Sequence, residues 1–251
     1  MTGTSPPTDQ MIQLNHHAPH PPFAWYVSIP STWALLDTNP TTWQLSLTRL
    51  VDERFAGRSL RAADRRAVTT FLEQLVADCQ RAGTVLSMVQ LGRMTTGQVG
   101  SAGLHLAWFN SGHQPAGLAL VRESLPRSGT TEELTTPAGP ALLHTDEAST
   151  VPPGGTLRVR SRVQQAYLPL PGTTWTAVLS AATPHPEMHT VLDEVLRAVI
   201  TSIQPAQQDD EFPPPPHDTD DSSGPRAAVS GVEDGFGTML RHRVDGDNAH
   251  E

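Results

Sequence analysis

The alternation of apolar and polar positions is clearest in the last third of the domain, over residues 174–203. Small and apolar residues alternate in the strand-forming segment 174–183, which predicts a largely buried strand. Pro184 and Pro186 remove two backbone donors, so the strand has to end there and a helix can begin at or after Pro186. Apolar residues then recur at helical spacing up to Ile203 and predict an amphipathic helix that packs on a sheet.

The front of the chain predicts a strand and then two helices. Residues 23–29 alternate between apolar and polar as in a half-buried strand, and residues 33–36 continue in an extended form. Apolar residues at helical spacing predict a short helix over 43–55. A longer helix follows, with Ser59 as its N-cap and Gly83 as its C-cap.

Segments typical of strands fill the middle of the chain, joined by connections rich in Gly and Pro. They cover residues 84–93, 99–109, 117–123, 157–169 and 174–183, with a further short strand at 141–144. Helices early, antiparallel strands in the middle and a helix last are typical of an α+β domain. The prediction is a mostly antiparallel sheet packed by the early long helix and the C-terminal helix.

Charge is distributed unevenly along the chain and predicts its domain organisation. Residues 205–251 hold 11 acidic residues and 3 arginines, so they carry −8 of the net charge of −9. Rich in Pro and Asp, they lack the apolar content that would offset chain entropy, and they are predicted to form a disordered acidic tail. Residues 1–22 are predicted to be a flexible lead. Residues 23–204 remain as a single α+β domain.

Composition excludes several classes of enzyme and of site. All 17 basic residues are arginine, so there is no lysine for a Schiff base, a P-loop or a kinase-type phosphate contact. The single cysteine, Cys79, excludes a disulfide framework and a multi-cysteine zinc site, and its place on an apolar helical face predicts a buried thiol. No apolar run reaches the ~18 residues of a membrane span, so no integral membrane segment and a cytoplasmic location are expected.

Several segments together resemble a family. They are IPSTWALLD at 29–37, LTRLVDERF at 47–55, QRAGTVLSMVQL at 80–91, GPALLH at 139–144 and YLPLPGTTWTAVLSAATP at 167–184. In these segments the chain resembles a group of uncharacterised actinobacterial proteins. The element order also resembles, more distantly, the Mog/PsbP-like fold, an αβα sandwich. That resemblance implies a binding or assembly factor and supplies no catalytic motif.

Other residues suggest chemistry that their context does not support. His185 and His189 have the i, i+4 spacing of a metal site, but His185 lies between two prolines and no glutamate occupies the position of a zincin base. The glycines of GQVGSAG at 97–103 are followed by a strand instead of a helix, which favours a hairpin over a dinucleotide loop. No catalytic, cofactor-binding or metal-binding residue is therefore predicted.

Two groups of residues are predicted to bind a protein partner. Arg158, Arg160 and Arg162 alternate along one strand, which places three cations on one face. The second group lies in the tail, where a docking motif at 229–243 has apolar residues at helical spacing: Val229, Val232, Phe236, Met239 and Leu240. A nearly neutral domain with an acidic tail argues against nucleic acid as the partner of either group.

The sequence therefore predicts a non-enzymatic protein-binding or accessory factor with a disordered acidic tail. One alternative is an enzyme or small-molecule-binding domain whose pocket is built by the fold. Another is a membrane-associated or secretion-system accessory protein. The identity of the partner, the oligomeric state and whether the tail masks the arginines stay open at this level.

Overall fold

The computed structural model describes residues 15, 18–56, 61–94, 99–150, 158–206, 228–230 and 238–242. The helices in these residues are α1 (Trp43–Arg54), α2 (Ala62–Arg81), α3 (Leu118–Ser124) and α4 (His189–Ser202), with a short 3-10 helix (Pro186–Met188) before α4. The strands are β1 (Trp25–Ile29), β2 (Ala34–Leu36), β3 (Thr84–Arg93), β4 (Val99–Asn110), β5 (Thr130–Thr136), β6 (Gly139–Thr150), β7 (Val159–Pro169), β8 (Trp175–Thr183), β9 (Gln204–Pro205), β10 (Ala228–Ser230) and β11 (Thr238–His242).

A seven-stranded antiparallel sheet forms the centre of the molecule, in the order β2-β3-β4-β8-β7-β6-β5. A smaller four-stranded antiparallel sheet has the order β10-β11-β1-β9. Helices pack on both faces of the large sheet, so the fold is an α+β sandwich, as the sequence predicts.

Two neighbouring residues of edge strand β5 show which helix covers which face. Glu132 and Glu133 point to opposite faces because side chains alternate along a strand. Glu132 binds Arg197 of α4, and Glu133 binds Arg122 of α3. Cys79 of α2 contacts β3 and β4 on the side that α3 covers. We call the two surfaces the α4 face and the α2 face.

The main core lies between the α4 face, α4 and β1. It contains the fully buried leucines of β4 and β8, the apolar side of α4 and the alternating residues Trp25, Val27 and Ile29 of β1. The rings of Trp25 and Trp108 meet edge to face, with centroids 5.3 Å apart. A second cluster joins α1 and α2 to β2 and to Val89 of β3. The periodic apolar positions seen in the sequence supply both clusters.

One predicted strand, 117–123, is wrong, because this segment forms helix α3. Strand β4, which precedes it, is already paired on both edges, to β3 and to β8, so it offers no edge for another strand. The segment is rich in Leu, Ala, Arg and Glu, which favour helix, and it buries Val121. Strand β5 was not predicted, because most of its residues are exposed and an edge strand of this kind has no apolar alternation.

Both ends of the chain contribute to the described structure. Ala18, within the predicted flexible lead, is 4% exposed in the main core, and the amide of Asn15 donates to the Val85 carbonyl. In the predicted tail, β11 pairs with the whole of β1, from Trp25 opposite His242 to Ile29 opposite Thr238. The backbone groups on this edge of β1 would otherwise lack strand partners.

Where the structure describes the docking motif, its residues lie in strands and not in the helix that their spacing predicts. Val229 lies in β10, and Met239 and Leu240 lie in β11. Val232 and Phe236 lie outside the described residues. So few apolar positions do not distinguish a helix from a strand by their periodicity. The segment forms a strand because it pairs with an edge of β1 that would otherwise lack a partner.

Candidate functional site

The predicted cations lie together at one end of the α4 face, and we call Arg158, Arg160 and Arg162 the arginine ladder. Arg158 directly precedes β7 and is exposed, and the side chain of Arg160 is 84% exposed. Arg162 is half-buried, opposite Glu147 of β6 and Thr183 of β8. Helix α4 begins at this level of the sheet, so the ladder extends beyond the area that α4 covers.

Two side chains next to the ladder affect its charge. The Glu147 carboxylate is 3.8 Å from the Arg160 guanidinium, but both groups are largely exposed, so this ion pair is weak. Partial burial and the positive charge of Arg162 hold the pKa of His189 below its usual value of 6.5. The imidazole is therefore neutral at pH 7, and the positive charge of the site comes from the arginines.

Two acidic residues of α4 and β5, Asp193 and Glu132, are paired with Arg197. Arg197 donates two hydrogen bonds to Glu132, at 2.8 and 2.7 Å, and one from Nε to Asp193, at 2.8 Å. The amide of Gln164, a fully buried residue of β7, donates to the other oxygen of Asp193 at 2.7 Å. This network fixes α4 to β5 and β7. Glu132 and Asp193 are paired with Arg197, so they offset little of the charge of the ladder, although the charge of Arg162 also acts on Asp193.

Loss of the Arg197 network is expected to lower both stability and its dependence on pH. Hydrogen bonds from Arg197 hold the pKa of Glu132 below its ordinary 4.5. Burial alone would raise the pKa of Asp193, but the bonds from Arg197 and Gln164 outweigh it and place the pKa below 3.8. A carboxyl whose pKa is lower in the folded state than in the unfolded state stabilises the fold at pH values above its unfolded pKa. For Glu132 and Asp193, this contribution is lost as the pH falls through about 4.5 to below 3.8.

Arg197→Ala should therefore cost about 1–2 kcal/mol of unfolding free energy at pH 7, after allowance for solvent screening of these partly exposed groups. Its stability should also fall less steeply below pH 5. Urea unfolding at a series of pH values measures both effects. Arg49→Ala is the matched control, because its i, i+4 pair with Glu53 is 75% and 52% exposed and should contribute almost nothing. Equal losses from both substitutions would contradict the structural role of the network.

A row of polar side chains crosses the α2 face of the sheet, on the side opposite the ladder. One residue of each strand from β3 to β5 is paired in register with the next. In spatial order the row is Ser87, His105, Ser180, Gln165, His144 and Thr131. These residues are far apart in sequence, and only strand register brings them together, so sequence reasoning had no signal for this row.

Cys79 of α2 joins the row at its β3 end. Its Sγ lies 3.3 Å from Nδ1 of His105, and the Ser87 hydroxyl lies 2.9 Å from the same nitrogen. Burial raises the pKa of the Cys79 thiol, and burial lowers the pKa of His105 to about 4. Thiol and imidazole are therefore both neutral at pH 7, which is the opposite of the ion pair that activates a nucleophilic cysteine. The buried thiol is as the sequence predicts.

In the other half of the row, Gln165 forms hydrogen bonds with neighbouring side chains, and His144 has no hydrogen-bond partner among the described residues. The Tyr167 hydroxyl donates to Gln165 at 2.9 Å, and the Gln165 amide donates to Ser180 at 3.3 Å. Neither ring nitrogen of His144, which is 3% exposed, has a hydrogen-bond partner among the described residues. Ser128 bonds Asp146 at 2.6 Å instead of the imidazole, so no serine–histidine–carboxylate relay forms there. Nor do the described residues bring three or more His, Cys, Asp or Glu together as metal ligands.

Comparisons with known proteins leave the family open. No protein-family model and no curated protein matches the chain. A crystal structure of a protein from Bacteroides thetaiotaomicron is similar over 58% of this chain and 50% of its own, with 8% sequence identity and a TM-score of 0.31. The chain thus spans half the length of that protein, and the likeness is too low to carry an argument. In the part of the chain that the structure describes, no helix has the length and apolar content needed to cross a bilayer.

Proposed function

We propose that this chain is a non-enzymatic, cytoplasmic protein-binding domain that serves as an accessory or assembly factor. The observation that carries the proposal is the arginine ladder. It presents exposed guanidinium groups beyond the start of α4, and the nearest carboxylates of α4 and β5 are paired with Arg197. Planar guanidinium groups suit bidentate contacts with carboxylates, so the partner presents an acidic surface.

The chemistry of the polar row supports binding over catalysis. Its one thiol is buried and neutral, and the imidazole beside it is neutral as well. Catalytic groups need protonation states matched to their task, and this pair lacks them at pH 7. The Mog/PsbP-like resemblance of the sequence agrees with a binding role, since members of that fold act as binding or assembly factors.

Charge reversal in the ladder tests the proposal. The variant is Arg158→Glu with Arg160→Glu, which leaves the half-buried Arg162 in place. The matched control is Arg49→Glu with Arg81→Glu, two arginines whose side chains are 75% and 74% exposed and which are each paired with one acidic residue, as Arg160 is with Glu147. Immobilised full-length protein is used to capture partners from a lysate of its own host, and the captured partner is then purified for titration.

The ladder variant should bind the purified partner about tenfold or more weakly, equivalent to ~1.4 kcal/mol, and the loss should shrink as salt is raised. The control should bind as the unmodified chain does. If ladder and control variants bind every captured protein equally, the ladder is not the binding surface. An acidic partner that is lost only from the ladder variant supports the proposal.

A further inference from the structure

The segment 207–227 of the tail contains two acidic groups, and both lie outside the described residues. They are Asp209, Asp210 and Glu211, and then Asp218, Asp220 and Asp221. The arginine ladder carries positive charge that Glu147 only partly offsets. Opposite charges in one chain make the tail a candidate occupant of the ladder, and the chain length decides which group can reach it.

The described residues on either side of the segment 207–227 belong to the two edges of the same four-stranded sheet. At its start, the amide of Ala206 donates to the Ala24 carbonyl at 2.9 Å, next to β1. At its end, Ala228 pairs with Arg241, which is itself opposite Tyr26 of β1. Both ends of the segment are therefore anchored at the same end of the four-stranded sheet, Ala206 next to β1 and Ala228 on the far side of β11.

Helix α4 sets the distance from these anchors to the ladder. It begins near Arg162, whose charge acts on His189, and its end lies beside β1, where the Ser202 hydroxyl accepts a bond from the Ser28 amide. Its 14 residues span about 21 Å at ~1.5 Å per residue. Arg160 and Arg158 lie farther along β7, so the distance from the anchors to the middle of the ladder is about 25–30 Å.

The first acidic group is too close to its anchor to cover that distance. A fully extended chain gains ~3.3–3.6 Å per residue, so Asp209 to Glu211 reach only about 10–18 Å from Ala206. From Ala228 in the other direction, Asp221 reaches about 24 Å and Asp218 about 34 Å. The length of the arginine side chains adds several ångströms to each reach. The second group spans the distance from both anchors.

We propose that Asp218, Asp220 and Asp221 dock on the arginine ladder of the same chain and compete with the acidic partner for it. This inference rests on the proposed function, because it concerns the same surface. Exposed ion pairs are individually weak and screened by salt, so the docked segment is easily displaced. A tethered segment acts at an effective concentration of about a millimolar, so a docking Kd of about 0.1–0.5 mM weakens a competing ligand three- to tenfold.

The test uses full-length protein and a fluorescein-labelled hexaglutamate peptide, with binding followed by fluorescence anisotropy in 50 mM NaCl. Asp218→Asn, Asp220→Asn and Asp221→Asn together should tighten binding of the peptide about three- to tenfold. The matched control, Asp209→Asn, Asp210→Asn and Glu211→Gln together, removes the same charge and should leave the affinity unchanged. The difference between the variants should disappear in 500 mM NaCl.

The outcomes separate this proposal from the proposed function. If the peptide binds all three proteins equally, and Arg158→Glu with Arg160→Glu abolishes binding, the ladder binds acidic ligands but the segment does not dock on it. Equal tightening by both tail variants would show a general charge effect and would also overturn docking. If no protein binds the peptide even in 50 mM NaCl, the acidic-partner assignment itself fails.

Discussion

Trp25→Ala is expected to lower the free energy of unfolding by about 3–5 kcal/mol. Trp25 is 1% exposed at the start of β1 and lies in the core between the large sheet, β1 and α4. Truncation removes an indole from this close-packed interior and leaves a cavity that the surrounding strands cannot fill. It also removes the edge-to-face contact with Trp108, which adds about 0.5–1.5 kcal/mol beyond buried area.

Urea unfolding followed by far-UV circular dichroism measures this loss without depending on tryptophan fluorescence. Trp25→Phe is the matched control, because it keeps an aromatic ring against Trp108 and should lose clearly less. A double-mutant cycle with Trp108→Ala isolates the ring–ring contribution. A loss below about 1 kcal/mol for Trp25→Ala would contradict the position of β1 in the core.

The strength of the apolar pattern decided how much of the fold could be predicted from the sequence. The closing helix was predictable because its apolar positions recur over several turns, and the buried strand β8 was predictable because prolines end it. The strand predicted at 117–123 was wrong although its Leu, Ala, Arg and Glu favour helix, because so short a segment has too few apolar positions for periodicity to decide and β4 has no free edge. Tertiary pairing overrides local preference in such short segments.

The candidate site also has one part that the sequence predicts and other parts that it does not. The arginine ladder follows from alternation within one strand, so sequence placed its three cations on one face. The polar row requires the register of six strands, and the Arg197 network joins residues 65 positions apart, which no local pattern indicates. The charge of the ladder also depends on that network, because without Arg197 the carboxylates of Glu132 and Asp193 would add to the partial offset by Glu147.

Gly129→Ala is expected to be the second strongly destabilising substitution, at about 2–4 kcal/mol. Gly129 precedes β5 with a φ of +83°, a conformation that costs any residue with a Cβ about 1–2 kcal/mol. A Cβ built there would lie 2.4 Å from the backbone oxygen of Thr145 and 2.8 Å from Cε1 of His144. Because the nearest atom belongs to the backbone of β6, the chain itself has to move.

Gly172→Ala separates the two causes of this loss. Gly172 has a similar φ of +75°, but a Cβ there would meet nothing within 4 Å. The control should therefore lose only the conformational part, and the excess loss at Gly129 measures the overlap with β6. Chemical denaturation of both variants gives that difference, and the imidazole NMR signals of His144 should shift only in Gly129→Ala. Equal losses, with His144 unperturbed, would show that the turn before β5 does not press on β6.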